Sequence, residues 1–295
     1  ESRIEVGDTM RAFRYYLPEG VETGAPLVML LHGGKQGMES IFADSAGGTQ
    51  AWPRIAEREG FILVAPNGIG MQDGSPTGNN QIWNDCRAPV PESVTASQAD
   101  DVGFLTTLAE RAEAELGTDP DRWYVTGASN GGQMSYRLAI ERPGRVAAIA
   151  AFIANLPAEG ECGPADEPIP VFMANGTADE INPFAGGDLG NRGVALSAPA
   201  TRDTWLSANG IAGATPERTA LADRDASDGS TITCFDYPAG VEPSRVRFCR
   251  IDGGGHAMPS IDHPLSRLTE MVVGPQNHDA EGAELAWSFL STHRR

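Results

Sequence analysis

Three residues of this chain have the types and the order needed to turn a hydroxyl into a nucleophile. Ser129 is the centre of Gly127-Ala128-Ser129-Asn130-Gly131, a G-x-S-x-G pattern that follows a strand-like run, Trp123-Tyr124-Val125-Thr126, and precedes a helix-like one. In that context the glycines permit a strained strand-to-helix turn that lifts a serine hydroxyl clear of a sheet. With 35 glycines in the chain, the flanking strand and helix carry this reading more than the pattern does. A serine hydroxyl is a weak nucleophile at neutral pH and needs a base, and the base needs an orienting group. His256 is the candidate base, because it follows Gly253-Gly254-Gly255 directly after a strand-like run. His263 precedes a proline, His278 sits near a helix start and His293 is nearly terminal. Asp179 is the candidate acid, in the loop Asn175-Gly176-Thr177-Ala178-Asp179 beyond the strand-like Pro170 to Ala174, with Glu180 and Asp188 as runners-up. Negative charge developing on an attacked carbonyl oxygen calls for backbone amides. Asn130, next after the serine, should supply one and the Gly33-Gly34-Lys35 loop the other, with the choice between Gly34 and Lys35 left open.

These residues need a scaffold, and the apolar runs outline one. Pro26 to Leu31, Phe61 to Ala65, Ala147 to Ile153 and Ile169 to Ala174 are continuous apolar stretches of strand length, as expected for parallel strands buried on both faces. Between them lie helix-like segments over Gln50 to Glu59, Asp100 to Leu116, Asn130 to Glu141, Ala198 to Asn209 and Ala280 to Thr292. Arg3 to Val6 and Arg11 to Leu17 predict a leading antiparallel pair, and Ser230 to Tyr237 with Arg245 to Ile251 predict two late strands. The alternation predicts an α/β fold with a mostly parallel central sheet flanked by helices, in one domain over residues 1–295. Residues 67 to 97 lack periodicity. So long an irregular stretch is usually functional or disordered, and Trp83, Asn84 and Cys86 within it favour an ordered loop beside the site.

The net charge of −18 disfavours nucleic acid and anionic membrane as partners, since both would be repelled. No stretch approaches the ~20 apolar residues of a membrane span, so a soluble chain is expected. Lys35 is the only lysine. Four cysteines allow three pairings. Cys234 and Cys249 lie in the two late strand-like runs, so a Cys234–Cys249 bridge leaves Cys86–Cys162 as the second pair, and export is preferred over four buried thiols in a cytosolic enzyme. With no initiator Met and no signal-like segment, Glu1 reads as the start of a mature or trimmed product. Asp223, Asp225 and Asp228 before Gly229 depart from calcium-loop spacing and read as a solvated acidic turn. Asn175-Gly176-Thr177 matches a glycosylation sequon but is read as structural.

From about Arg11 to Leu290 the chain resembles the esterases of the polyhydroxybutyrate depolymerase family, close to the feruloyl and acetylxylan esterases of the α/β-hydrolase class. The resemblance rests on Leu31-His32-Gly33-Gly34, Trp83-Asn84, Asp101-Val102-Gly103-Phe104, Val125 to Gly132, Asn175 to Asp179 with Gly186-Gly187, and Gly253 to His256. It implies the α/β-hydrolase fold, Ser129, Asp179 and His256 as a triad, and a metal-independent mechanism with no cofactor. It also implies secretion and a carboxylic ester substrate, with polyester first and feruloyl or acetyl esters of plant polysaccharide next. A non-catalytic polymer-binding module is the contrasting reading, and a monomer is expected. Asn175 stands where a histidine commonly precedes Gly-Thr, and Ala257-Met258-Pro259 replaces a common Thr-Trp-Pro. Asn175 and Met258 are therefore expected beside the substrate, with Trp83 and Asn84. Trp83 is also the candidate exposed patch for a polymer surface. His32 reads as a brace of its loop, with substrate contact as the alternative.

Overall fold

The computed structural model describes residues 1–43, 47–87, 99–165, 167–190, 192–238 and 245–295. Its strands are β1 (Ser2–Val6), β2 (Thr9–Tyr16), β3 (Leu27–Leu31), β4 (Ile62–Pro66), β5 (Ile69–Gly70), β6 (Gln81–Ile82), β7 (Trp123–Ala128), β8 (Ala148–Phe152), β9 (Val171–Gly176), β10 (Gly187–Asp188), β11 (Val194–Ala195), β12 (Glu217–Ala220), β13 (Thr231–Tyr237) and β14 (Val246–Asp252). The α-helices are α1 (Trp52–Glu59), α2 (Asp101–Leu116), α3 (Asn130–Glu141), α4 (Ala198–Ala208), α5 (Arg267–Val273) and α6 (Gly282–Leu290). Ten strands form one sheet in the order β1-β2-β4-β3-β7-β8-β9-β14-β13-β12. The six from β4 to β14 run parallel. An antiparallel pair closes each end, β1-β2 on one side and β13-β12 on the other. This is the α/β-hydrolase arrangement that the sequence predicts.

The apolar runs are continuous because both faces of the sheet are covered. Along β3, Leu27, Met29 and Leu31 join one apolar cluster with Phe104, Leu105, Leu138 and Trp205, from α2, α3 and α4. The intervening Val28 and Leu30 join the opposite cluster with Trp52, Ile55, Ala286 and Phe289, from α1 and α6. A period of two along one strand thus feeds two cores. The helix ends follow local chemistry. Asp100 caps α2 by accepting the Gly103 N–H at 2.8 Å, and Gly117, at φ 68°, closes its far end in the left-handed region that glycine tolerates.

Several elements lie beyond the sequence reading, among them β12 and the β10–β11 ribbon. The irregular stretch contains a short ribbon of β5 and β6, and its residues 88–97 lie outside the described residues. Helix α5 was not anticipated because its apolar residues do not face a core: Leu268, Met271 and Val272 are 77, 82 and 74% exposed. Among the described residues no helix is long and apolar enough to cross a membrane. Both cysteine pairs are joined, Cys86 to Cys162 and Cys234 to Cys249, the latter directly opposite each other on β13 and β14.

Candidate active site

Ser129 sits between β7 and α3 at φ 56° and ψ −124°, a backbone conformation that costs a non-glycine residue energy and persists only when its surroundings hold it. Here they do. The Ser129 N–H donates to the Phe152 carbonyl at 2.9 Å and its carbonyl accepts from the Gln133 N–H at 2.9 Å. The turn is too crowded for side chains: a Cβ on Gly127 would lie 2.6 Å from the Gly131 carbonyl carbon, and one on Gly132 would lie 2.7 Å from the Ala154 Cβ. Gly127 and Gly132 are therefore required by close approach, as is Gly131, whose Cβ would run into the Leu31 carbonyl oxygen.

Asp179 and His256 come from neighbouring parallel strands, β9 and β14, whose carboxyl ends lie side by side. The His256 Nδ1–H donates to Asp179 Oδ2 at 2.7 Å. The other carboxylate oxygen, Oδ1, accepts the Ile181 and Asn182 N–H groups at 2.8 Å each, which fixes the carboxylate plane. With Nδ1 committed to a carboxylate, Nε2 is left as the proton acceptor. The His256 backbone is clamped from behind: its N–H donates to the Val273 carbonyl at 2.5 Å and that of Gly255 to the Pro275 carbonyl at 2.7 Å. A Cβ on Gly255 would lie 2.6 Å from the Gly274 Cα, so the absence of a side chain there lets the end of α5 press against this loop. Ser129 and His256 line one cavity of about 720 Å³, with no direct hydrogen bond between them. Catalytic hydrogen bonds commonly tighten only once substrate is bound. Of the runners-up, Glu180 is exposed, and Asp188 is exposed in β10 with its Oδ1 taken by the Gly190 N–H.

The parallel pairing of β3 with β7 sets Leu31 opposite Gly127, which brings the Gly33-Gly34-Lys35 loop alongside the elbow. Its amides are not equivalent. Gly33 N–H donates to Gln36 Oε1 at 2.9 Å and Lys35 N–H donates to the Gln81 carbonyl at 2.8 Å. Of the two amides left open as oxyanion donors, that of Lys35 is occupied by its bond to β6, which corrects Lys35 as a candidate. Gly34 keeps an N–H without an acceptor among the described residues, as does Asn130, the first residue of α3, where no intrahelical acceptor exists.

The other expected contacts divide. Met258 is buried against the cavity and Asn84 borders it. His32 is fully buried: its Nδ1–H donates to the Gly33 carbonyl at 2.8 Å, and its Nε2 accepts the Gly68 N–H at 2.9 Å. Burial pushes its pKa down to about 4, so it stays neutral as a brace and its reading as a substrate contact is corrected. Trp83 borders the cavity but is only 2% exposed, with its indole N–H donating to the His32 carbonyl at 2.9 Å and its ring 4.8 Å from the imidazole. It cannot lie on a polymer surface; the exposed apolar residues near the cavity are those of α5. Asn175 points inward as well, 2% exposed, donating to the Ala154 carbonyl and Asn155 Oδ1 at 3.2 and 3.1 Å. Its side chain is out of reach of both the substrate and a glycan. The acidic turn is occupied by its own chain: Asp225 accepts from Ser227, and Asp228 from Ser230 and the His278 N–H.

The sequence reading missed the polar web behind the elbow. Asn130 Oδ1 accepts the Trp83 N–H at 2.7 Å, and its Nδ2 donates to the Trp83 carbonyl at 3.1 Å and to Asp85 Oδ2 at 2.5 Å. Asp85 pairs with Arg87 at 2.7 Å. One step further, Asp101 accepts the Asn84 N–H at 2.7 Å through Oδ2 and the Arg11 guanidinium at 2.6 Å through Oδ1, and the pair is buried. Burial pushes the Asp101 carboxyl up, and the adjacent Arg11 charge opposes that shift. The sequence signals were the Trp83-Asn84 and Asp101-Val102-Gly103-Phe104 motifs of the resemblance, neither of which names a partner.

The family model described as "Putative esterase" matches residues 5–205. "Putative esterase NocK" of Nocardia uniformis subsp. tsuyamanensis is 27% identical over 97% of this chain and 81% of its own length. A poly(3-hydroxybutyrate) depolymerase of Ralstonia pickettii is 30% identical over 56% of this chain and 32% of its own. Other relatives carry the names bifunctional acetylxylan esterase/xylanase and feruloyl esterase B, and the chain spans 32 and 33% of their lengths. Among solved structures, an acetyl xylan esterase from Aspergillus awamori superposes with a TM-score of 0.55 at 14% identity, over 84% of this chain and 89% of that one, a likeness of fold.

Proposed function

The chain belongs to the esterase family, and on that premise we propose that it is a serine carboxylesterase working through an acyl-enzyme within one catalytic domain. The observation that carries this reading is the 2.7 Å bond from His256 to Asp179 on the wall of the cavity that Ser129 also lines. Ser129 Oγ attacks the ester carbonyl carbon while His256 Nε2 takes its proton. The tetrahedral oxyanion is held by the Gly34 and Asn130 amides, donors that need no reorganisation as charge develops. Collapse expels the alcohol, which leaves with the proton from His256. Water, deprotonated by the same nitrogen, then attacks the acyl carbon, releasing the carboxylic acid and restoring Ser129. Asp179 holds the tautomer and stabilises the imidazolium.

Polyester or polyhydroxyalkanoate esters are the first substrate class, supported by the exposed Leu268, Met271 and Val272 of α5, of which Val272 also lines the cavity. Feruloyl or acetyl esters of plant polysaccharide are the second reading, supported by the relatives of that name. Export is supported by the two disulfides, which persist in oxidising compartments. The experiment is labelling with a 4-nitrophenyl phosphonate followed by peptide mapping, alongside 4-nitrophenyl butyrate turnover. We expect the label on Ser129, and about 10⁴-fold or greater losses of kcat in Ser129→Ala and Asp179→Asn. Label on another residue, or turnover that survives Ser129→Ala, would refute the assignment.

A further inference from the structure

The charges facing the cavity run against those of the chain as a whole. The chain has 40 acidic and 22 basic residues and a single lysine. Yet the cavity that holds Ser129 and His256 is lined by Lys35, Arg87 and Arg192, with Asp85 the one carboxylate among the described lining residues. Asp85 is committed to Arg87, 2.7 Å away, and both are largely buried. Neither Lys35 nor Arg192 forms an ion pair among the described residues. Arg192 is nevertheless aimed: its Nε donates to the Leu189 carbonyl at 3.3 Å and one Nη2 hydrogen to the Ile181 carbonyl at 3.1 Å, both residues being in the cavity wall. Nη1 remains without an acceptor among the described residues. The Lys35 backbone is likewise fixed, at φ 60° and by its bond to Gln81, so its side chain leaves from a rigid point beside the Gly34 amide.

From this we propose that the ester taken by the Ser129 site carries a carboxylate, and that Arg192 and Lys35 hold it. The inference rests on the esterase reading of that site and deepens it. A cavity of about 720 Å³ has room for an ester and a second functional group together. A carboxylate can accept two hydrogen bonds from a guanidinium fork, a geometry that Arg offers and a neutral acyl chain does not use. Desolvation and the like charge of Arg87 disfavour the charged form of Arg192, against the opposing pull of Asp179 and Asp85, and a bound anion would add to that pull. The net repulsion of the chain for anions is screened over roughly 8 Å at physiological ionic strength, so the groups inside the cavity decide the local interaction.

The test uses two matched pairs of substrates, with kcat/KM measured on the wild-type protein and on Arg192→Gln and Lys35→Gln, singly and together. Mono-4-nitrophenyl succinate against 4-nitrophenyl butyrate places the carboxylate on the acyl side. The ester dimer of 3-hydroxybutyrate as free acid against its terminal carboxamide places it on the alcohol side. The readout is the anion-to-neutral ratio within each protein, which cancels any general loss of activity through misfolding. We expect the ratio in at least one pair to fall on the order of tenfold in the double variant, and the pair that responds identifies the side. Ratios in both pairs that are unchanged by the substitutions overturn the inference while leaving the esterase reading intact. Failure of the wild-type protein to hydrolyse any of the four overturns both.

Discussion

The side-chain amide of Asn130 donates to the buried carboxylate of Asp85 at 2.5 Å, across 45 residues of sequence. The residue whose backbone amide is proposed to hold the oxyanion is thus anchored by a carboxylate that is itself paired with Arg87. Asp85→Ala removes the acceptor and leaves a partly buried guanidinium unpaired. It should destabilise the protein by about 3 kcal/mol in urea unfolding. It should also lower kcat on the order of tenfold through loosened oxyanion geometry. Full stability in the variant would show that the web is incidental.

Stability should depend on pH through His32. Its pKa is about 4 in the folded protein because burial penalises the imidazolium, against about 6.5 unfolded. The unfolded chain therefore binds a proton between these values that the folded chain refuses, so stability is complete above pH 6.5 and is lost as pH falls toward 4. His293, likewise lowered to about 4 by burial, adds to the same slope. His32→Gln, which can still donate and accept, should flatten the slope in that window. An unchanged slope in denaturation curves at pH 7, 6, 5 and 4.5 would rule His32 out as its source.

The two disulfides should differ in what they protect. Cys86–Cys162 closes a separation of 76 residues and tethers the loop carrying Asp85 and Arg87, whereas Cys234–Cys249 closes 15 residues between outer strands. In the chain-entropy model their loss costs about 4.5 and 3 kcal/mol. Paired serine substitutions should lower the melting temperature in both cases, but only the Cys86/Cys162 variant should lose turnover at temperatures where it is still folded. Equal kcat in the two variants would count against a role for the tether in the site.

Helix α5 gives a direct test of the polyester reading. Leu268 and Met271 are largely exposed and lie outside the cavity lining, next to its rim. Replacing both with Gln should reduce erosion of a polyhydroxybutyrate film by roughly tenfold, since two apolar side chains of contact are lost. Hydrolysis of soluble 4-nitrophenyl butyrate should change less than twofold. Parallel loss on film and soluble ester would mean that the helix acts through the site and not through a surface.

What the sequence determined by itself is what depends on neighbours along the chain. The strand Trp123–Ala128 running into the helix Asn130–Glu141 across Ser129, the buried strands, and the glycines before His256 are all encoded in local patterns of apolar periodicity and permitted φ. The order Ser129, Asp179, His256 then follows from reading along the chain, whereas the Asp179–His256 bond needs the adjacency of β9 and β14 that only the sheet supplies. What only the tertiary structure decided is where groups far apart in sequence compete for the same hydrogen bonds. The Lys35 amide reads like that of Gly34 until the Gln81 carbonyl occupies it. Trp83 reads as an exposed polymer patch, and Asn175 as a substrate contact, until burial turns them inward. Asp85 and Arg11 carry no motif, and α5 no core face. A hydrogen bond is satisfied by whichever partner the fold brings within about 3 Å, and no local pattern specifies that partner.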